Sequence, residues 1–182
     1  MENLPQTLSP DQLRIGNYVQ FKQQDHQVVR LLGLHSSLLL RRRFPTEKET
    51  YSLDLIDLLT KKYHKDVHLD LVEAIPLTPT LLQRLGFNEQ PAGSFPTYQQ
   101  QVYTWPCDED TYWVVCFDGD GVSLWLMLDG EEICFSEITS LHHLQNLLFE
   151  LDDITLRLDC DPASLAATIA TQAINDSSPS GE

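Results

Sequence analysis

Leu13, Ile15, Val19 and Phe21 share one parity within the stretch 13–21, with polar residues interleaved, which is the period of a strand with one buried face. Apolar runs follow at 27–34 and 37–44, parted by Gly33 and His35-Ser36. Over 51–59 the leucines fit strand and helix periods alike, and 67–72 alternates again. Short strands joined by turns of a few residues predict a small, curled antiparallel barrel of the SH3-like type.

A well-punctuated short helix comes next. Thr78 serves as N-cap, Pro79 occupies the first turn, Leu81, Leu82 and Leu85 form the apolar stripe, and Gly86 terminates it. Strands are then expected at 97–105, 111–117, 122–128 and 131–135, with turns at Asp118-Gly119-Asp120-Gly121 and Asp129-Gly130. This is a β-meander whose middle strands are apolar on both faces, so both faces need cover. One cover is a helix over 141–151 with Thr139 or Ser140 as N-cap. Its stripe of Leu141, Leu144, Leu147, Leu148 and Leu151 faces the sheet, and His142, Gln145, Asn146 and Phe149 lie opposite. The other cover is the N-terminal half, a last helix over 163–175 capped by Asp161-Pro162, or a second copy of the chain. Residues 176–182 form a polar tail expected to be disordered.

The expected architecture is therefore α+β: mostly antiparallel β, with an N-terminal SH3-like small barrel and a C-terminal β-meander packed by one or two helices. The modules are drawn as residues 1–88, a small β module ending in a short helix, and 97–175, an acidic meander plus helices. The segment 89–96, rich in Pro, Gly and Gln, is the expected linker or long loop.

Charge sharpens that division. Residues 1–84 hold 11 basic and 10 acidic side chains, a net of +1, whereas the remainder holds Arg157 alone against 17 acidic residues, a net of −16. A one-signed field of this kind attracts basic partners and repels nucleic acid. With 182 residues, 42% hydrophobic, the chain can bury a core without metals or disulfides. No apolar run is long enough for a bilayer span and no signal-peptide pattern opens the chain, so a cytoplasmic protein without membrane contact is expected. Cys107, Cys116, Cys134 and Cys160 include no Cys-x-x-Cys pair, and the expectation is reduced, mostly buried thiols.

Chemistry-bearing groups are few. If Phe117 pairs with Val122, Thr111 falls opposite Leu128, and Asp108, Glu109, Asp110, Asp129, Glu131 and Glu132 gather at one end of the sheet, with Asp118 and Asp120 at the other. Such oxygens suit a hard divalent cation. Yet Ser123 stands where an EF-hand loop needs Gly and Asp129 where it needs Glu, and turns favour Asp and Gly for reasons of their own. His142 and His143 point 100° apart on a helix and cannot chelate together. Arg41, Arg42 and Arg43 form the one basic run, and with Lys61, Lys62 and Lys65 they could make a phosphate-facing strip. No nucleophile elbow, dinucleotide fingerprint or phosphate-binding loop is present, so neither a catalytic residue nor a cofactor is assigned.

Three segments carry a resemblance. Leu13-Arg14-Ile15-Gly16-Asn17-Tyr18-Val19, then Ile75-Pro76-Leu77-Thr78 running into Leu81-Leu82 and Leu85-Gly86-Phe87, and Leu141-His142-His143-Leu144-Gln145-Asn146-Leu147-Leu148-Phe149 resemble a group of small uncharacterised proteins from Bacteroidota genomes and their phages or mobile elements. The resemblance covers about 30 residues and departs beyond Leu151 and in acidic richness. It implies a mobile-element context and no catalytic activity.

The expected function is a non-enzymatic interaction protein. Its acidic C-terminal module would bind a basic protein surface, in a sharper form as a phage or mobile-element inhibitor that mimics DNA. The binding residues would be the six clustered carboxylates together with His142, Gln145, Asn146 and Phe149. Nucleic-acid binding through the basic residues of the N-terminal half is the second expectation, and a divalent-metal-dependent enzyme using the clustered carboxylates is the third.

Overall fold

The computed structural model describes residues 8–23, 27–36, 50–91, 94–95, 101–119 and 121–158. The expected strand at 37–44, the helix at 163–175 and the tail lie outside the described residues. Most of the described secondary structure is antiparallel β, in two five-stranded sheets with two α-helices. No helix among the described residues is long and apolar enough to cross a membrane.

The chain divides into two compact units, one running to Ile75 and the other spanning Pro76–Asp159. In the first unit the strands are β1 (Tyr18–Phe21), β2 (Val28–Ser36), β3 (Tyr51–Asp57), β4 (Tyr63–His68) and β5 (Val72–Glu73), ordered β4-β3-β2-β1-β5. A 3-10 turn over Leu69–Leu71 reverses the chain after β4, so that β5 returns to β1 with Phe21 opposite Val72. The Gln20 amide donates to the Glu73 carboxylate across that pair at 3.0 Å. Leu13, Val19, Phe21, Val29, Leu31, Leu53, Leu55, Leu69 and Val72 share one core.

Two details depart from the alternation. Ile15 shares its parity with buried neighbours yet is 72% exposed, because Ile15 and Gly16 form a turn ahead of β1. The run 67–72 is not one strand: it ends β4, makes the 3-10 turn and enters β5. Both leucines here, Leu69 and Leu71, belong to the turn while Val67 and Val72 belong to the strands, and a period-2 pattern cannot separate the two.

In the second unit a short helix, α1 (Pro79–Arg84), precedes β6 (Asn88–Glu89), β7 (Val102–Pro106), β8 (Thr111–Asp118), β9 (Gly121–Leu128), β10 (Glu131–Glu137) and α2 (Leu141–Asp152), with sheet order β10-β9-β8-β7-β6. The Thr78 hydroxyl accepts from the Leu81 N–H at 3.2 Å, which caps α1 as its sequence predicts. Gly86 then takes φ +96°, the left-handed conformation that ends such helices.

The boundary falls between Ile75 and Pro76 rather than near Gly86, where the charge balance changes. The cause is packing: α1 leads directly into β6, β6 pairs with β7, and the Phe87 ring packs at a tilt against Trp105, with centroids 5.3 Å apart. For the same reason the described residues of that segment, 89–91 and 94–95, fall within the second unit. Gln90 donates its backbone N–H to the Val102 carbonyl at 2.9 Å, and Phe95 packs edge-on against Tyr112 at 6.0 Å.

Candidate functional site

The second sheet is held from both faces. Val102, Val114, Cys116 and Met127 make a cluster on one face, joined by Phe95, Tyr112 and Trp125. Register puts Trp105, Trp113 and Leu126 side by side on the other. That second face carries α2. The Trp113 indole N–H donates to the Asp152 carboxylate in the last turn of the helix, at 3.2 Å. Leu141, Leu144 and Leu148 are fully buried.

Because Phe117 pairs with Val122, Thr111 falls opposite Leu128, and the β7–β8 and β9–β10 turns come to the same end of the sheet. In the first turn Asp108 accepts from the Asp110 N–H at 3.1 Å. The Thr111 hydroxyl, then the Asp110 N–H, hold the Asp108 carboxyl below its ordinary range. In the second, Asp129 and Gly130 both have positive φ, at 52° and 82°, the geometry a two-residue Asp-Gly hairpin turn requires. Asp108, Glu109, Asp110, Asp129, Glu131 and Glu132 are all exposed. The register thus gathers the six predicted carboxylates at one solvent-facing end. Asp118 is exposed at the other end and Asp120 lies outside the described residues. Among the described residues no three His, Cys, Asp or Glu side chains converge as metal ligands would.

The helical part of the predicted patch is divided between core and surface. His142 is 4% and Gln145 7% exposed, while Leu151, assigned to the sheet-facing stripe, is 44% exposed. The buried sector of α2 is rotated by roughly 70° from the leucine stripe, at 100° per residue. Two causes stand in the structure. The His142 imidazole is hydrogen-bonded to the Ser140 hydroxyl at 2.9 Å, so its polar edge is satisfied inside. The C-terminal turn is held by Asp152 to Trp113, which leaves Leu151 to solvent. Loss of water around His142, with a smaller contribution from His143, pushes its pKa down to about 4, so the ring is neutral at pH 7. Asn146 is half-buried and Phe149 is 38% exposed.

No protein-family model matches this chain, and no curated protein or solved structure matches it significantly.

The basic strip is described only in part. Lys61 and Lys62, on the β3–β4 turn, and Lys65, on β4, are exposed, and Arg41, Arg42 and Arg43 lie outside the described residues. Of the cysteines, Cys116 is buried as expected, but Cys134 is exposed. Its apolar neighbours Ile133 and Phe135 suggest burial, yet among the described residues β10 is the edge of its sheet and residues 131–135 are all exposed. Cys107 is also exposed. Loss of water around its sulfur, then the Asp152 carboxylate at 3.4 Å, push its thiol up to about 11, which makes it a poor nucleophile.

Two arrangements escaped the sequence. His35, Asp54 and Tyr63 join β2, β3 and β4: the His35 ring lies 3.1 Å from the Asp54 carboxylate, which also accepts from the Tyr63 hydroxyl and the Asp66 N–H. The Asp66 N–H, then the Tyr63 hydroxyl, hold Asp54 below its ordinary range. A register shift between Leu31 and Gly33 sets this alignment, and bulges carry no period-2 signal. The second arrangement is an exposed apolar strip of Leu128, Ile133 and Phe135 along β10 and its neighbour. Ile133 and Phe135 alternate with Glu132, Cys134 and Ser136 along β10, which is a signal of one apolar face, but only the strand order makes it an edge.

Proposed function

We propose that this chain is a non-enzymatic interaction protein whose acidic second unit binds a basic surface on another protein. The carrying observation is the register that gathers Asp108, Glu109, Asp110, Asp129, Glu131 and Glu132 at one exposed end of a sheet. Beyond residue 84 a single basic side chain, Arg157, offsets 17 acidic ones. Carboxylates spaced along two neighbouring turns project a negative field that steers an oppositely charged partner and disfavours nucleic acid.

A sharper form of this reading is a DNA mimic that occupies the phosphate-binding groove of a defence or regulatory protein. The resemblance to mobile-element proteins supports it. In the same reading the first unit is an SH3-like small barrel. Four consecutive antiparallel strands, a 3-10 turn and a short fifth strand that returns to the first support that description.

Affinity capture with the full chain tests the proposal. Partners taken up at about 50 mM salt should be released at about 0.5 M, where the Debye length shrinks to roughly 4 Å. A variant with Asp108→Asn, Asp110→Asn, Glu131→Gln and Glu132→Gln should capture them at least about tenfold less well. Duplex DNA should compete for the same partners if the chain mimics it. Partners held equally at both salt concentrations, and equally by the variant, would contradict an electrostatic mode.

A further inference from the structure

We infer that β10 is a docking strand, and that its occupant is an extended segment of a partner protein, basic at its ends and apolar in its middle, added antiparallel to the sheet edge. This rests on the reading that the second unit meets a basic partner, and it says where and how.

Among the described residues β10 has one neighbour, β9, and residues 131–135 are all exposed. An edge strand offers a row of backbone donors and acceptors to any chain that can lie along it. Strand addition uses those groups for affinity and the alternating side chains for selectivity. Along this edge Glu131 and Ile133 stand on one face, opposite Leu128 and Leu126, and Glu132 and Cys134 on the other. Phe135, at the bulge, turns its ring onto Trp113 at 5.2 Å and stays 39% exposed. The edge therefore reads acidic, acidic, apolar, thiol, apolar, hydroxyl, acidic from Glu131 to Glu137. A complementary strand places Lys or Arg beside the glutamates and an apolar side chain against Ile133 and Phe135.

Charge decides between this occupant and a second copy of the chain. Antiparallel self-pairing centred on Cys134 would set Glu131 opposite Glu137, and like charges directly opposite destabilise a ladder. Glutamates on an edge keep copies of the same protein apart while leaving it open to a strand of the opposite sign. The carboxylates of Asp108 to Asp110 and Asp129 extend the acidic character past the start of β10, so a basic segment longer than the strand is still met by negative charge.

The test titrates the full-length protein with three synthetic peptides of about nine residues: one with lysines at both ends flanking a valine-rich middle, the same sequence N-methylated at every second backbone nitrogen, and one with glutamates in place of the lysines. Binding is read by calorimetry, and amide exchange is followed at residues 131–137. The lysine–valine peptide should bind and slow exchange along β10. N-methylation, which spares the charges but blocks the ladder, should weaken it about tenfold or more. The glutamate–valine peptide should not bind. Ile133→Lys, with its fold checked by circular dichroism, should lower the affinity by a similar factor. Equal binding of the methylated and unmethylated peptides, or binding without slowed exchange at 131–137, overturns strand addition while leaving the acidic reading intact. So does capture of a compact basic protein such as cytochrome c at low salt when no peptide binds. Equal binding of the glutamate–valine peptide overturns the basic occupant. If neither the peptides nor cytochrome c bind at low salt, both readings fall.

Discussion

The Trp113 indole N–H donates to the Asp152 carboxylate at 3.2 Å, fastening the centre of the second sheet to the last turn of α2. Trp113 is 2% exposed, so its donor has lost water, and removing the acceptor should cost about 1–3 kcal/mol. Asp152→Ala should show this in urea unfolding. Asp152→Asn keeps an oxygen for the indole and should cost under about 1 kcal/mol. Both variants remove the charge that helps raise the Cys107 thiol to about 11, so both should speed alkylation of Cys107 at pH 8, followed by peptide mass mapping. If Asn and Ala lose equal stability, the indole bond is not what holds the helix end.

The meander was legible because its signals are local. Phe117 opposite Val122 follows from one turn, and everything else in that register, including the carboxylate end, follows from it. The α1 caps were legible for the same reason. What stayed hidden depends on which strand lies at an edge and which helical face turns inward. Cys134 sits between Ile133 and Phe135, a buried pattern by sequence, yet its strand has no outer neighbour among the described residues. His142 and Gln145 read as surface residues by polarity. A single hydroxyl, Ser140, lets the imidazole go inside, and no periodicity records that pairing.

Gly86 should tolerate no side chain. Its φ of +96° is strained for any residue with a Cβ, and a Cβ there would stand 3.0 Å from Cζ3 of Trp105. Gly86→Ala should therefore destabilise the second unit by about 1–3 kcal/mol. Tryptophan fluorescence should shift as well, since a Cβ at Gly86 must displace the Trp105 ring. An unchanged denaturation midpoint would mean that the α1 terminus relaxes freely and does not fix β6 against the sheet.

Neighbouring residues on α2 should respond in opposite ways. Leu148 is fully buried and Leu148→Ala should cost about 2–5 kcal/mol, including the cavity it leaves. Phe149 is 38% exposed, and Phe149→Ala should change stability by less than about 1 kcal/mol. Chemical denaturation of the two variants side by side reads the difference. Equal losses would place Phe149 in the core and remove it from any partner surface.

Stability should fall as the pH drops from about 6.5 towards about 4, and His142 should account for much of the slope. Its ring is buried among the first residues of α2, and loss of water lowers its pKa from 6.5 to about 4. The unfolded chain thus takes up a proton over this window that the folded chain refuses, and stability rises with pH wherever the unfolded state binds more protons. The contribution is complete above about 6.5 and is lost progressively below it, up to an amount on the order of 3 kcal/mol. His143, also lowered by loss of water, acts in the same direction. Asp54 and Asp108, held below their ordinary values, lose their contribution only at lower pH, so the two windows separate. His142→Asn keeps a group that can meet the Ser140 hydroxyl but does not titrate. In urea titrations at pH 7, 6, 5 and 4.5 its stability should decline less steeply than that of the parent protein, leaving the share due to His143. Identical slopes for the two proteins would mean that His142 is protonated or rehydrated in the folded state, and that the neutral, hydroxyl-bound ring is not what the first turn of α2 buries.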